Sequence, residues 1–292
     1  MKTLKINFVD FWNGYNPVDN YFYHTLKLKY KVEIEKDNPD FIFFSHFGQD
    51  HKKYKCKKVF YTGENWNYSS EEFDYSFTFQ ESSEKNYYLP LWIFYIDWFN
   101  TEYNLNRDPA YLIKLDSLLE SRKINKHAKN KFCCFICGNP INQLRNYFTT
   151  LLSKYKTVDC PGRVLNNCPE IPGKGDHKEK LDFLENYRFN ICFENSKNSG
   201  YITEKIIHPF YTKTIPIYWG GDRIYEFFNK ESFILYKENE SFENTINKII
   251  EIDKDEDLFV SMVEQPVFSN INVLEQFNPK VIMEKLDEYI IS

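Results

Sequence analysis

An α/β protein with two Rossmann-like, doubly wound halves is the fold class that three features of this 292-residue chain predict. Period-two and period-3.6 hydrophobic patterns alternate from end to end, which is the signature of βα units and a parallel sheet. Strand candidates such as FIFFS at 41–45 are apolar without interruption, as strands buried on both faces require. A polar stretch, SRKINKHAKNK at 121–131, reads as an exposed linker between two such runs. The domains are therefore placed at 1–125 and 126–277, and the last helix, about 278–292, is expected to pack back on the first. Alternation alone also permits a single mixed sheet.

In order, KINFVDFW opens as a strand and turns at Asn13-Gly14. Tyr21 to Tyr30 has helical spacing, KVEIE is a second strand, and Pro39-Asp40 leads into FIFFSHFG. KKVFYTGEN is the next strand and puts Glu64 just past its carboxyl end, where ligands sit in open parallel sheets. DYSFTFQ and NYYLPLWIFYIDWF close this half, and Asp108-Pro109 is expected to cap a helix bearing Leu112, Leu115 and Leu119. The second half restarts with KFCCFIC, and Asn139-Pro140 is expected to cap a helix bearing Leu144, Phe148, Leu151 and Tyr155. TVDC, a Gly/Pro/Asn-rich loop from Pro161 to Asp176, and a helix marked by Leu181 and Leu184 follow. SFILY, helical stretches from Phe242 and Leu258, and a helix begun by Asn278-Pro279 complete the chain.

Composition bounds the function classes. Hydrophobic content of 42% and aromatic content of 18% suit a folded core and argue against disorder. Aromatic rings also stack on the C–H faces of sugars, although core packing accounts for most Tyr and Phe. A net charge of −5 offers no general attraction to nucleic acid or anionic membrane. Seven scattered cysteines include Cys134-x-x-Cys137, which lies in an apolar run without a second ligand pair. Buried, reduced thiols are expected rather than a zinc site, and with them a reducing compartment. No apolar stretch suits a signal peptide or a membrane span.

The stretch most suggestive of chemistry is FNICFENSKNSGYITEKIIHPFYTKTIPIYWGG, residues 189–221. It reads as strand, polar loop, helix, strand and glycine turn. Helical spacing from Tyr201 puts Ile202, Ile206 and Phe210 on one face and Tyr201, Glu204, Lys205 and His208 on another. A helix in this setting aims free backbone N–H groups at its entrance, where anions are stabilised. Most strand–loop–helix units bind nothing, so the pattern alone leaves function open.

ICFENS, GYITEKI and TIPIYWG, with their spacing, closely resemble the signature of the family 10 α1,3-fucosyltransferases, and weaker similarity runs through most of the chain. Two departures stand out. Pro209 predicts a kink or an early helix end, and Gly220-Gly221-Asp222 replaces the family's frequent Gly-Ser-Pro. The resemblance implies a GT-B fold, two Rossmann-like domains facing each other across a cleft, and an inverting enzyme that uses GDP-fucose. The expected reaction moves L-fucose to the 3-hydroxyl of GlcNAc in an N-acetyllactosamine-type glycan, a Lewis x type product. A type 1 or chitobiose-core acceptor, another nucleotide sugar, and a non-catalytic carbohydrate-binding protein are the alternatives. Like bacterial members, the chain is expected in the cytoplasm, peripheral to a membrane where glycans are assembled.

Inverting transfer needs a base for the acceptor hydroxyl and cations or N–H groups for the leaving diphosphate. As bare sequence Glu64 reads first as a turn residue beside Gly63 or a helix cap; by position in the family pattern it is the expected base. Arg145 and Lys205 match the family's diphosphate-binding cations, each expected to supply on the order of 2–4 kcal/mol of transition-state stabilisation. Glu204 is expected to bind ribose or fucose hydroxyls, with Tyr201 and Asn195 completing the donor pocket. Glu194 and Ser196 flank them without assigned roles, and Arg163 is either a third cation or a solvated loop residue. Asp255-Glu256-Asp257 resembles a metal-binding acidic triplet but sits at a helix start and is expected to be solvated. No metal or cofactor is expected to be required, though manganese stimulation is compatible. The expected partners are GDP-fucose and an oligosaccharide acceptor.

Overall fold

The computed structural model describes residues 1–66, 71–107, 109–171 and 178–291, so the expected Asp108 cap and part of the 161–176 loop lie outside the described residues. The chain divides into two compact units, Met1–Leu112 with Leu274–Ser292, and Ile113–Val273.

The first unit is built from β1 (Thr3–Val9), α1 (Tyr21–Lys27), β2 (Lys31–Ile34), β3 (Phe41–Phe44), β4 (Lys57–Tyr61), β5 (Tyr75–Thr78), β6 (Asn86–Tyr88) and the short β7 (Ile96–Asp97). Among the described residues its sheet has six strands in the order β2-β1-β3-β4-β5-β6, every pair parallel. All four β3 residues are buried, as an uninterrupted apolar run demands. Asn20 caps α1 by accepting the Tyr23 N–H at 2.9 Å, and the helix presses Phe22 onto Phe43 with ring centroids 4.6 Å apart. Each fully buried Phe of this kind contributes about 1.5–3 kcal/mol. The C-terminal segment carries α9 (Pro279–Leu286), begun by Asn278 with Pro279 in the first turn. It is tied to this unit where Tyr21 Oη donates to the Phe277 carbonyl (3.1 Å), Lys57 Nζ donates to the Ile290 carbonyl (2.9 Å), and Tyr289 stacks on Tyr75 at 4.3 Å.

The second unit contains β8 (Ile113–Lys114), α2 (Leu115–Leu119), β9 (Lys131–Cys134), α3 (Gln143–Leu152), β10 (Val158–Asp159), α4 (Lys178–Leu184), β11 (Tyr187–Phe193), α5 (Glu204–Tyr211), β12 (Ile215–Trp219), α6 (Ile224–Phe227), β13 (Ile234–Leu235), α7 (Phe242–Lys254) and α8 (Glu256–Val263). Among the described residues its main sheet has five strands in the order β10-β9-β11-β12-β13, again all parallel. In both sheets the first strand lies between the second and the third. The winding therefore reverses beside it, between β1 and β3 and between β9 and β11, and the carboxyl ends of those strands open onto a crevice.

Several expectations need correction. The compact units part after Leu112 rather than near 125, and the 121–131 stretch, though mostly exposed as expected, is anchored to the second unit by buried Arg122 and Lys129. Lys129 Nζ donates to the Glu185 and Thr212 carbonyls at 2.6 Å each, and burial pushes its pKa down to about 8. Arg122 lies over the Phe210 ring at 5.0 Å and donates to the Gln265 carbonyl at 2.6 Å. Leu112 precedes α2 rather than belonging to it. Asn139 accepts the Ile141 N–H in a turn, and α3 starts three residues after Asn139-Pro140 would have started it, with Asn142 as its cap. Glu256 is not simply solvated: it takes a 2.6 Å ion pair from Arg188, while Asp255 caps α8. The seven cysteines are free thiols; Cys56 and Cys168 are half-buried and the other five buried.

Candidate active site

Local sequence explains how the second unit gathers its polar residues. α5 begins at Glu204, not Tyr201, because Thr203 takes the cap and its Oγ1 accepts the Lys205 N–H at 3.4 Å. Tyr201 accordingly lies before the helix, buried in the loop, where its N–H donates to the Asn198 carbonyl at 3.0 Å. Pro209 lies inside α5, which ends two residues later, in keeping with the early helix end it predicts. Lys213, at φ +57°, then terminates it, with the Lys213 and Thr214 N–H groups donating to the Phe210 and Pro209 carbonyls.

Glu194, at the carboxyl end of β11, is the hub of this region. Its side chain is wholly buried; one oxygen accepts the Thr203 N–H (2.8 Å), the other accepts Lys205 Nζ (3.1 Å), and both lie within 3.0 Å of Thr203 Oγ1. The helix entrance is thus partly occupied by the protein's own acceptors, so its N–H groups are not the free set that the sequence suggests. Lys205 also lies 3.9 Å from Glu204, and Glu204 lies 3.7 Å from Lys180 of α4. Glu194, Lys205, Glu204 and Lys180 form a row of alternating charge. Burial pushes the Glu194 carboxyl up in pKa, against the pull of Lys205. Burial also opposes the Lys205 charge, but Glu194 and Glu204 outweigh it and hold its pKa above the ordinary lysine value. Glu204 is penalised by burial too, yet Lys205 and Lys180 keep its carboxyl well below the usual range.

Arg145, in the first turn of α3, is 2% exposed. It donates to Asn195 Oδ1 at 2.8 Å and to the Asn139 carbonyl, and its Nε has no hydrogen-bond partner among the described residues. Asn142 donates to the Glu194 and Asn195 carbonyls at 3.4 and 3.2 Å and so pins the start of α3 to the end of β11. Gly220 and Gly221 close the region from β12. A Cβ on Gly220 would stand 2.5 Å from Glu194 Cγ, and one on Gly221 would stand 2.5 Å from the Ser199 carbonyl oxygen. A cavity of about 410 Å³ adjoins this turn, with Lys197, Trp219, Tyr225 and Glu238 in its wall.

The structure therefore brings together Glu194, Asn195, Glu204, Lys205 and Arg145 at the carboxyl ends of the parallel strands, with Tyr201 buried in the loop before α5 and half-buried Ser196 earlier in the same loop. Arg163 is exposed after β10, and no hydrogen bond or ion pair joins it to this group among the described residues. Lys180, Thr203 and Asn142 escaped the sequence reading. Thr-Glu-Lys and Asn-Gln at helix starts are readable cap signals, whereas nothing in KEKLDF sets Lys180 apart from a surface lysine.

Glu64 belongs to the first unit, just past β4. Its N–H donates to Thr62 Oγ1 at 3.1 Å, and its carbonyl accepts the Trp66 N–H at 2.7 Å. Among the described residues no hydrogen bond or ion pair holds its exposed carboxylate, which borders a cavity of about 250 Å³ lined by aromatic and aliphatic side chains together with Asn20, His24, Thr101 and Arg107.

Among the described residues no helix is long and apolar enough to cross a membrane, and no three His, Cys, Asp or Glu side chains are grouped to hold a metal ion. Residues 6–95 match the Alpha-(1,3)-fucosyltransferase FucT N-terminal domain, and residues 126–277 match the Glycosyltransferase family 10 (fucosyltransferase) C-terminal domain. Alpha-(1,3)-fucosyltransferase FucT of Helicobacter pylori is 28% identical over 313 aligned residues, covering 97% of this chain and 64% of that protein, so the chain spans somewhat less than two thirds of that relative. A crystal structure of an α1,3-fucosyltransferase with GDP superposes with a TM-score of 0.77 at 24% identity, covering 100% of this chain and 91% of the other. A second α1,3-fucosyltransferase structure gives 0.79 at 23% identity with the same coverage. The chain has the GT-B fold and belongs to glycosyltransferase family 10, the fucosyltransferases.

Proposed function

We propose that this chain transfers L-fucose from GDP-fucose, with inversion, to the 3-hydroxyl of GlcNAc in an N-acetyllactosamine-type glycan. The observation that carries this reading is the Glu194–Lys205–Glu204–Lys180 row beside the Arg145–Asn195 pair, gathered at the carboxyl ends of β9 and β11. The similarity to Alpha-(1,3)-fucosyltransferase FucT supports the choice of sugar and linkage.

In the reaction the acceptor oxygen forms the new bond to the anomeric carbon as the bond to GDP breaks. Glu64 takes the acceptor's proton, and the departing diphosphate carries away the electron pair. Lys205 meets that developing charge as a point cation. To do so it exchanges part of its hold on Glu204 for phosphate oxygens, while wholly buried Glu194 keeps it in place. Arg145 supplies fixed positive charge behind Asn195, felt strongly in a site shielded from water. Glu204 accepts hydroxyl groups of the sugar, and buried Tyr201 shapes the pocket wall. With these cations the reading needs no resident metal, so activity should survive chelator, whether or not manganese stimulates it.

Incubation with GDP-fucose and a panel of disaccharides, with the product linkage read by NMR, tests the reading. An α1,3-fucosylated N-acetyllactosamine is the expected product. No product from any acceptor, with no shift in melting temperature on adding GDP or GDP-fucose, would overturn it.

A further inference from the structure

We propose that Lys180 is a positioning residue for the transfer: it remains as the counter-ion of Glu204 when Lys205 turns to the donor's diphosphate. This deepens the fucosyl-transfer reading and rests on it.

Glu204 opens α5, and two lysines approach the same oxygen of its carboxylate, Oε1: Lys180 at 3.7 Å and Lys205 at 3.9 Å. The two are held differently. Lys205 is divided between two acids, since Glu194 Oε2 lies 3.1 Å from its Nζ. For Lys180, Glu204 is the only acid within ion-pair distance among the described residues. Lys180 also comes from another element, α4, so its place does not depend on where the Lys205 side chain goes. The side chains of Lys180 and Glu204 are only 15% and 16% exposed, so water does little to stabilise either charge. Burial indeed pulls the Lys180 pKa below the ordinary lysine value, in spite of Glu204. Lys178, on the same short helix, shows the alternative, an exposed ion pair with Asp182 one turn on at 2.9 Å. A lysine turned inward at a cost to its own charge is explained by the carboxylate it faces.

The reaction makes that partner necessary. Lys205 meets the diphosphate by loosening its hold on Glu204, which without a second cation would be left as a carboxylate in a dry site. Such a group takes up a proton rather than keep its charge. Once protonated it would hold the sugar's hydroxyl groups about half as strongly as the charged form does. Lys180 prevents this, and by keeping Oε1 occupied it also fixes the direction in which the carboxylate faces. No other neighbour replaces it. Glu194 on β11 has the wrong sign, and Lys205 is the group that leaves. Buried His208, one turn along α5, acts on Glu204 less than either lysine. Cys192 of β11 faces Lys180, and burial keeps its thiol uncharged.

Calorimetry with GDP-fucose at about pH 6, in buffers of different ionisation enthalpy, counts the protons that binding takes up. Binding is read rather than turnover, so that titration of Glu64 does not enter. Lys180→Met should take up as much as about one proton more than wild type, because Glu204 protonates when Lys205 leaves it. Its affinity should be weaker by about tenfold or more, the equivalent of one pKa unit. As pH falls, that affinity should decline about 1–3 pH units earlier than in wild type, since an opposite charge at this distance lowers a carboxyl pKa by that much. Lys180→Gln, neutral but polar, should match Lys180→Met, and Lys180→Arg, which keeps the cation, should match wild type. The extra proton should disappear in the Lys180→Met/Glu204→Gln double variant. A role in stability alone would lower the melting temperature without changing the proton count. Proton uptake and affinity as in wild type in both neutral variants, or an extra proton that survives Glu204→Gln, would overturn the assignment while leaving fucosyl transfer intact. If wild type does not bind GDP-fucose at all, the donor reading fails and this role falls with it.

Discussion

The two units repeat one strand order, with the first strand lying between the second and the third, yet the crevices this creates are chemically opposite. In the second unit the crevice holds ionisable groups set in one another's fields: a wholly buried glutamate, two lysines, a second glutamate and a buried arginine. In the first it holds mostly aromatic and aliphatic side chains, with an exposed carboxylate at the edge of the hollow. Topology decides where a ligand can sit, because carboxyl-end loops diverge at the switch point whatever they contain. The side chains on those loops decide what can sit there. Cations against carboxylates suit a charged donor that displaces one interaction with another; rings and a lone acid suit a neutral sugar that must lose a proton.

Four measurements test this contrast. Glu64→Gln should have the largest effect, a loss of transfer of about 10²–10⁴-fold, because a general base contributes that much. Calorimetry should find GDP affinity unchanged, and a matching loss of GDP binding would contradict the assignment of Glu64 to the acceptor. Lys205→Ala should weaken GDP binding and cost on the order of 2–4 kcal/mol of transition-state stabilisation. It also strands the buried Glu194, so melting temperature should fall, and fall less in the Glu194→Gln/Lys205→Ala double variant; unaltered GDP affinity would remove Lys205 from the donor site. Gly220→Ala should cost about 1–3 kcal/mol of stability, since the added carbon must displace Glu194. Chemical denaturation should register it, and acceptor KM should remain as in wild type.

The smallest expected effect is a pH dependence. Lys205 and Lys180 hold the Glu204 carboxyl below its unfolded pKa, so the unfolded chain binds more protons in acid. The stability this group contributes is complete above about pH 5 and is lost as pH falls through the carboxylate range toward its folded-state value. The difference in melting temperature between wild type and Glu204→Gln, followed from pH 7 downward, should shrink below about pH 4. A constant difference would mean that the lysines do not act on Glu204.

The secondary-structure elements are local in origin. Apolar runs such as FIFF, alternation in FNICF and the Asn20 and Asn278 starts are local chemistry, set by pleat, helical period and capping, and they appear where local rules put them. The spacing from ICFENS to YWG also carried the family, and with it the residues around β11 and α5. Which polar groups face one another depends instead on long-range packing. Lys180 stands next to Glu204 because α4 packs on α5, and Glu194 reaches Lys205 because β11 ends at the mouth of α5, across a gap that Gly220 leaves open. Lys129 and Arg122 look like linker residues until folding supplies the carbonyls and the Phe210 ring that bury them. Periodicity is a property of neighbours along the chain, whereas desolvation and charge pairing are properties of neighbours in space, and only the second kind sets the chemistry of a site.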